Sequence, residues 1–419
     1  MSEEELTATS TPLNEPRLPT LLVESEADLE ILISDLEKYD GPICIDAERA
    51  SGFRYGQKAY LVQIAIPNKT IFLIDPTSKY SKEAWQRFAN ATNELPWVIH
   101  AASQDLTCLA ELKLVPTQIL DTELASRILG LPKVALGTIT EHYLGLKLAK
   151  EHSAVDWSIR PLPEAWLDYA ALDVDVLFEL WSAVESDLVS KDRMGIAIQE
   201  FDFLLLPSMK EPKTERWRST TGLHEIKDQR ALTVAKYLWE AREALAIARD
   251  IAPGRLIPDS AIIAAVKAAP KSKSELASLR TFSGKASRTF IDVWWKALSE
   301  GTTTKNLVEL RLKSTGIPNH RNWAQKFPDA HARLLTCKHL LSKVAEELSI
   351  PAENLVSPEV IRALCFEPPS PLTVESITAK LIEKRVRSWQ IEQIADVLLI
   401  GLAATTPLEI EPEVKDEAP

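Results

Sequence analysis

Gly41-Pro-Ile-Cys-Ile-Asp-Ala-Glu-Arg49 is a short apolar run that ends in charge. Bounded by Gly41-Pro42 and carrying β-branched Ile43 and Ile45, it reads as a buried strand. Side chains alternate along a strand, so Asp46 and Glu48 share one face and Ala47 takes the other. One element thus begins as core and finishes with two carboxylates aimed at a common point. Taken alone, the pair is equally what a solvated strand end looks like.

Working outward, the apolar stub Thr20–Val23 leads to Ser25, an N-cap for a helix whose Leu29, Leu32, Ile33 and Leu36 share a face before Gly41 stops it. After the strand, Tyr60–Ile66 and Thr70–Ile74, separated by Pro67-Asn68-Lys69, predict a hairpin. Helices and short strands then alternate. Helices are expected at Ser81–Ala91, Ser103–Leu112, Thr122–Leu129, Ala135–Leu144 and Pro163–Leu188, with strands at Trp97–His100 and Gln118–Leu120. A meander followed by interleaved helices predicts an α/β domain with a mixed sheet flanked by helices.

Pro207–Arg216, rich in Pro, Lys and Glu, marks a linker, and beyond it the pattern is helical. Helices are expected at Gln229–Ile247, Asp259–Ala268, Ser272–Leu279 and Lys285–Ser299, then at Ala330–Leu348 and Trp389–Leu402. The expected division is a disordered leader over 1–18, a catalytic domain over 19–206, the linker 207–216, a helical domain over 217–301, a second helical domain over 302–403 and an acidic disordered tail over 404–419.

The 419 residues are too many for one ordinary core. A net charge of −12 argues against a uniformly basic nucleic-acid binder, but the charge is unevenly spread. Residues 1–209 hold 17 Lys/Arg against 33 Asp/Glu, whereas residues 210–302 hold 17 against 11. No run of about 18 apolar residues suggests a membrane span. The four cysteines are scattered among apolar neighbours, as in a reduced, cytoplasmic protein, and the His331, Cys337, His339 stretch lacks the spacing of a zinc site.

Two more segments offer carboxylates. Asp105 follows the strand Trp97–His100 and falls in the first turn of a helix, where the helix dipole alone favours an acid. Tyr169 and Asp173, four residues apart on a helix, share a face. Four acids meeting around one sheet cannot all stay ionised without positive charge between them, and hard divalent cations such as Mg²⁺ or Mn²⁺ meet that need. Two such ions could activate a water and stabilise a leaving oxygen at a phosphodiester.

Asp46-x-Glu48, His100-Ala-Ala-Ser-Gln-Asp105 and Tyr169-x-x-x-Asp173, with Ser153-Ala-Val-Asp-Trp157-Ser-Ile-Arg160-Pro-Leu162 before the last, resemble the three motifs of the ribonuclease D group of exonucleases. The resemblance implies a ribonuclease-H-like 3′-5′ exonuclease fold, with Asp46, Glu48, Asp105 and Asp173 holding two divalent metal ions. Tyr169 would orient or help deprotonate the attacking water. Ala47 and Arg49 depart from the residues many relatives carry around the first motif. Arg49 and Arg54 are read as solvated, Asp121 as a helix cap and Trp157 as a packing anchor. Lys150 and Arg160 are candidates for holding a substrate phosphate, the alternative being a structural ion pair.

Residues 217–301 resemble an HRDC domain, carried by Arg230-Ala-Leu, Trp239-Glu-Ala-Arg242, Pro258-Asp-Ser, Ala269-Pro270 and the Leu279–Lys285 turn. Lys285 at a helix start is a candidate phosphate contact, although the frame of a P-loop is absent. Residues 302–403 look like a second, degenerate copy. The function so implied is a cytoplasmic, monomeric exoribonuclease acting on RNA with a free 3′ end, tRNA precursors among its substrates. The same chemistry on DNA ends and a non-catalytic nucleic-acid-binding scaffold are the alternatives.

Overall fold

The computed structural model describes residues 10–149, 155–207, 214–311 and 316–406. Its first half comprises β1 Thr11–Leu13, β2 Thr20–Val23, α1 Glu26–Leu36, β3 Ile43–Arg49, β4 Ala59–Ala65, β5 Ile71–Ile74, α2 Lys82–Asn93, β6 Trp97–Ile99, α3 Leu106–Glu111, β7 Ile119–Asp121, α4 Thr122–Ile128, α5 Leu136–Leu144 and β8 Leu146–Leu148. The helices α6 Glu164–Asp175, α7 Leu177–Ser190 and α8 Met194–Leu205 close it. The main sheet runs β2-β5-β4-β3-β6-β7. β4 is antiparallel to β3 and β5, and the remaining pairs are parallel. The strand quoted at the outset therefore lies inside a mixed sheet, with Ile43, Cys44 and Ile45 buried. Ser25 caps α1 in a reciprocal capping box with Asp28.

Three expectations need correction. The leader is not structureless over its described part, because Thr11–Leu13 pairs in parallel with Leu146–Leu148. Arg17 also donates to Asp175, with Nε–Oδ2 at 2.9 Å. That carboxylate is almost wholly enclosed and is matched by the guanidinium. The helix expected over Pro163–Leu188 divides at Val176, so that α6 and α7 are separate. α8 has no counterpart in the sequence reading; its Ala197, Glu200 and Phe201 are buried. Residues 1–9, the linker segment 208–213, the tail beyond 406, Lys150 and Ser153 lie outside the described residues.

The helical half repeats one plan. A 21-residue helix, α9 Gln229–Arg249, ends at a left-handed residue, Asp250, and is followed by α10 Pro253–Leu256, α11 Asp259–Ala268, α12 Lys273–Ser278, α13 Lys285–Thr289 and α14 Ile291–Thr303. After α15 Trp323–Lys326, a second 21-residue helix, α16 Pro328–Leu348, ends at left-handed Ser349 and leads to α17 Ala352–Leu355, α18 Pro358–Phe366, α19 Val374–Glu383 and α20 Ser388–Leu402. In both copies the last helix packs on the long one. Both contacts pass through a glycine: a Cβ on Gly301 would stand 2.8 Å from Val234 Cα, and one on Gly401 2.6 Å from Cys337 Sγ.

Each copy has its own core, and both are bonded to the catalytic domain. Glu200 on α8 accepts both forks of the Arg387 guanidinium, at 2.6 and 2.7 Å, and the Trp389 indole N–H at 2.7 Å. The four cysteines are buried free thiols.

Candidate active site

β3 presents its carboxylates by strand alternation, with Asp46 opposite Gln63 and Glu48 opposite Leu61 on β4. A register shift between Glu48 and Arg49 ends the regular pairing where the chain turns away. β6 runs parallel beside β3 and delivers the second motif. Beyond it the left-handed Ala101 and a short turn, Ala102–Gln104, bring buried Asp105 to the start of α3. Asp121 accepts the N–H groups of Ala101, Ala102, Glu123 and Leu124, at 2.9 to 3.1 Å. It is the cap and staple of this turn, as expected. His100 is held through Nδ1 at 2.9 Å from Thr122 Oγ1, and burial lowers its pKa to about 4.

α6 lies across β3, β4 and β5. Buried Ala170 and Ala171 let the helix approach the sheet, and Tyr169 and Asp173, one turn apart, are hydrogen-bonded to each other.

The four carboxylates sense one another. Withdrawal from water pushes Asp46 well above the usual carboxylate range, and the charges of Asp105, Asp173 and Glu48 push it further. Desolvation with Asp173 and Asp105 nearby raises Glu48 to about 8, and desolvation raises Asp173 to about 7 against the hydrogen bond from Tyr169. Asp105 rises to about 6 by burial, held down by Arg49. The Tyr169 phenol is pushed up by burial and by the acids around it, so it keeps its proton at neutral pH.

Among the described residues no three His, Cys, Asp or Glu side chains are already gathered at ligating distance around one point. Arg49 stands among the acids, its Nη2 3.3 Å from Asp105 Oδ1. That oxygen has no hydrogen-bond partner and is buried. Four hard carboxylate donors, one with a buried oxygen that faces Arg49 and takes no hydrogen bond, suit a hard divalent cation.

Several expectations change here. Arg49 is an ion-pair partner of Asp105 and not a solvated residue. Arg54 donates to Ser158 Oγ at 2.6 Å. Arg160 is removed from the phosphate-binding candidates because its five donors are spent internally. They go to Asp75 Oδ2 and Oδ1 at 2.5 and 2.7 Å and to the carbonyls of Trp157, Ile159 and Tyr60. The structural ion pair is the reading that fits. Trp157 is fully buried and stacks edge-on against Trp166 at 5.6 Å, as a packing anchor does. Lys285 opens α13, a helix of five residues. The sequence reading missed Gln63, fully buried opposite Asp46 with neither amide atom partnered. Its only signal was a polar residue inside an apolar strand.

Residues 21–188 match a family model described as a 3′-5′ exonuclease, 231–298 match the HRDC domain, and 316–402 match a 3′ to 5′ exonuclease C-terminal domain. A ribonuclease D of Zymomonas mobilis is 31% identical over 267 residues, covering 63% of this chain and 67% of the relative. This chain belongs to the ribonuclease D family. A ribonuclease D of Shewanella is 27% identical over 80% of this chain and 83% of its own. Among solved structures, a protein from Bifidobacterium adolescentis has a TM-score of 0.82 at 31% identity, covering 94% of this chain and all of that one. Escherichia coli RNase D shares the fold, with a TM-score of 0.66 at 22% identity over 91% of this chain and 98% of that one. The last helical module, which the sequence suggested to be a degenerate HRDC copy, keeps the HRDC-like element order yet matches its own model, the 3′ to 5′ exonuclease C-terminal domain, and not the HRDC model.

Proposed function

We propose that this 3′-5′ exoribonuclease of the ribonuclease D family cleaves at a site built from Asp46, Glu48, Asp105, Tyr169 and Asp173. The observation that carries the assignment is the mutual electrostatic crowding of four carboxylates delivered by β3, the turn after β6, and α6. Asp46, Glu48, Asp105 and Asp173 would hold two divalent ions, Mg²⁺ or Mn²⁺. When bound, such ions supply the positive charge that offsets these acids and the charge developing on the scissile phosphate and its leaving 3′ oxygen. Tyr169, bonded to Asp173, orients the attacking water or helps to deprotonate it.

The substrate is RNA with a free 3′ end, tRNA precursors among its forms, and the products are nucleoside 5′-monophosphates. The surplus of basic residues over 210–302 favours sequence-tolerant phosphate contacts there. Lys285 at the start of α13 is one such contact. No helix of the described residues is long and apolar enough to cross a membrane. We place the protein in the cytoplasm as a monomer.

The test is incubation of a 3′-extended RNA with Mg²⁺ or Mn²⁺, or with chelator, reading product lengths beside a matched DNA strand. A ladder shortened from the 3′ end, absent with chelator and with Asp46→Asn or Asp173→Asn, is expected. Full trimming by either folded variant would refute the site.

A further inference from the structure

The loop 50–58 leaves β3 immediately after Glu48 and Arg49 and returns as β4. Its inner side is tied to the catalytic domain. Gln57 Oε1 accepts from Ser51 Oγ at 2.8 Å and from Arg49 Nη1 at 3.5 Å. Arg54 donates to Ser158, which in turn bonds Asp156 in the segment that leads into α6. The loop therefore touches both the strand that carries Asp46 and Glu48 and the approach to the helix that carries Tyr169 and Asp173.

Its outer side is gripped by the HRDC module at the junction of α9 and α10. The Ala252 N–H donates to Phe53 O at 2.9 Å, and Arg255 Nε donates to Gly52 O at 2.6 Å. The same guanidinium lies 3.9 Å from the centre of the Phe53 ring. Tyr55 packs against the core of the module. Its N–H reaches Asp250 Oδ1 at 3.3 Å and its hydroxyl Glu243 Oε2 at 3.1 Å. Asp250 also receives the Tyr60 hydroxyl from β4. Within the loop the Phe53 and Arg54 N–H groups close a turn on Ala50 O, both at 2.8 Å, and the neighbouring module holds the far side of that turn at Gly52, Phe53 and Tyr55.

We propose that the HRDC module positions the catalytic site, with Arg255 on Phe53 and the Asp250–Glu243 pair on Tyr55 holding the 50–58 loop so that Glu48 and Arg49 keep their place beside Asp46. This is a role separate from binding RNA along a basic surface. Its logic is that catalysis tolerates little misplacement: about 1 Å can cost about a hundredfold in rate. The inference rests on the proposed assignment of Asp46 and Glu48 to the site.

The substrate that separates the two roles is a 5′-phosphorylated RNA dinucleotide, which occupies the scissile position and offers nothing further for the module to hold. Arg255→Ala in the full-length protein is expected to lower kcat on the dinucleotide about tenfold with KM within about twofold, as misplacement of groups used in the transition state does. Tyr55→Phe, which removes one hydroxyl and keeps the ring in its pocket, should give a smaller loss of the same kind. If both variants turn over the dinucleotide at the parental rate, the inference is overturned, whatever happens on a 20-nucleotide RNA. A loss on the long RNA alone assigns the module to substrate binding only. Should Arg255→Ala fail to fold, Tyr55→Phe decides. Asp46→Asn run in parallel isolates the premise: activity in that variant removes the site, whereas its silence beside unaffected Arg255→Ala and Tyr55→Phe removes only the positioning role.

Discussion

Arg49 Nη2 stands 3.3 Å from Asp105 Oδ1, which makes the residue after the first motif the counter-ion of the second. At the proposed site the guanidinium and an incoming cation would compete for one carboxylate. Arg49→Ala is therefore expected to bind Mn²⁺ more tightly, by about fivefold or about 1 kcal/mol, the size of a partly exposed ion pair. Calorimetric titration of the chelator-treated protein measures this. Weaker binding by the variant would mean that Arg49 supports the site and does not compete for it.

The crowded acids give the cation-free protein a definite pH dependence. Glu48, Asp173 and Asp105 are raised to about 8, 7 and 6, and Asp46 is raised as well, so the folded state holds protons that the unfolded chain has released. Stability is then full below the ordinary carboxylate range and is lost as pH climbs from about 4 through about 8. With chelator, the melting temperature should fall across that window. Saturating Mn²⁺ should flatten the fall, and an increase in chelator would contradict the clustering.

Tyr169→Phe removes the hydroxyl bonded to Asp173 and leaves the ring that packs on the core. We expect kcat to drop about a hundredfold, the scale of a positioned proton-handling group, with Mn²⁺ affinity unchanged. A parallel loss of Mn²⁺ binding would place the phenol among the metal-holding groups.

Arg160→Ala should act on stability and not on RNA. It leaves Asp75, only 4% exposed at its side chain, with the two Thr77 hydrogen bonds but without its cation, and strips three carbonyls of a donor. The expected cost is about 3 kcal/mol in urea unfolding, the low end for a broken buried pair because the guanidinium is itself a quarter exposed. An unchanged unfolding midpoint together with a raised KM for RNA would restore the phosphate-binding role.

The strand with Asp46 and Glu48, the hairpin after it and most helices were legible because each announces itself locally, by alternation, by an N-cap such as Ser25 or by a turn such as Pro67-Asn68-Lys69. What escaped depends on partners distant in the chain. β1 is three residues long and exists only because β8 lies beside it. The break at Val176 has no proline or glycine to mark it, and it follows Asp175, where Arg17 binds. Arg49, Arg54 and Arg160 look alike in a sequence, since an arginine next to a motif is as ready to meet a carboxylate as a phosphate; only the positions of Asp105, Ser158 and Asp75 distinguish their fates.

Glu200 makes α8 a shared wall, receiving Arg387 and Trp389 from the far end of the chain while Ala197 and Phe201 beside it belong to the catalytic core. Deleting everything after Thr304 would open α8 to water and bare the apolar side chains of Ile196 and Phe203 that the last module covers. A minimal nuclease trimmed to its first two modules should consequently be poorly soluble unless those apolar residues are exchanged along with the cut.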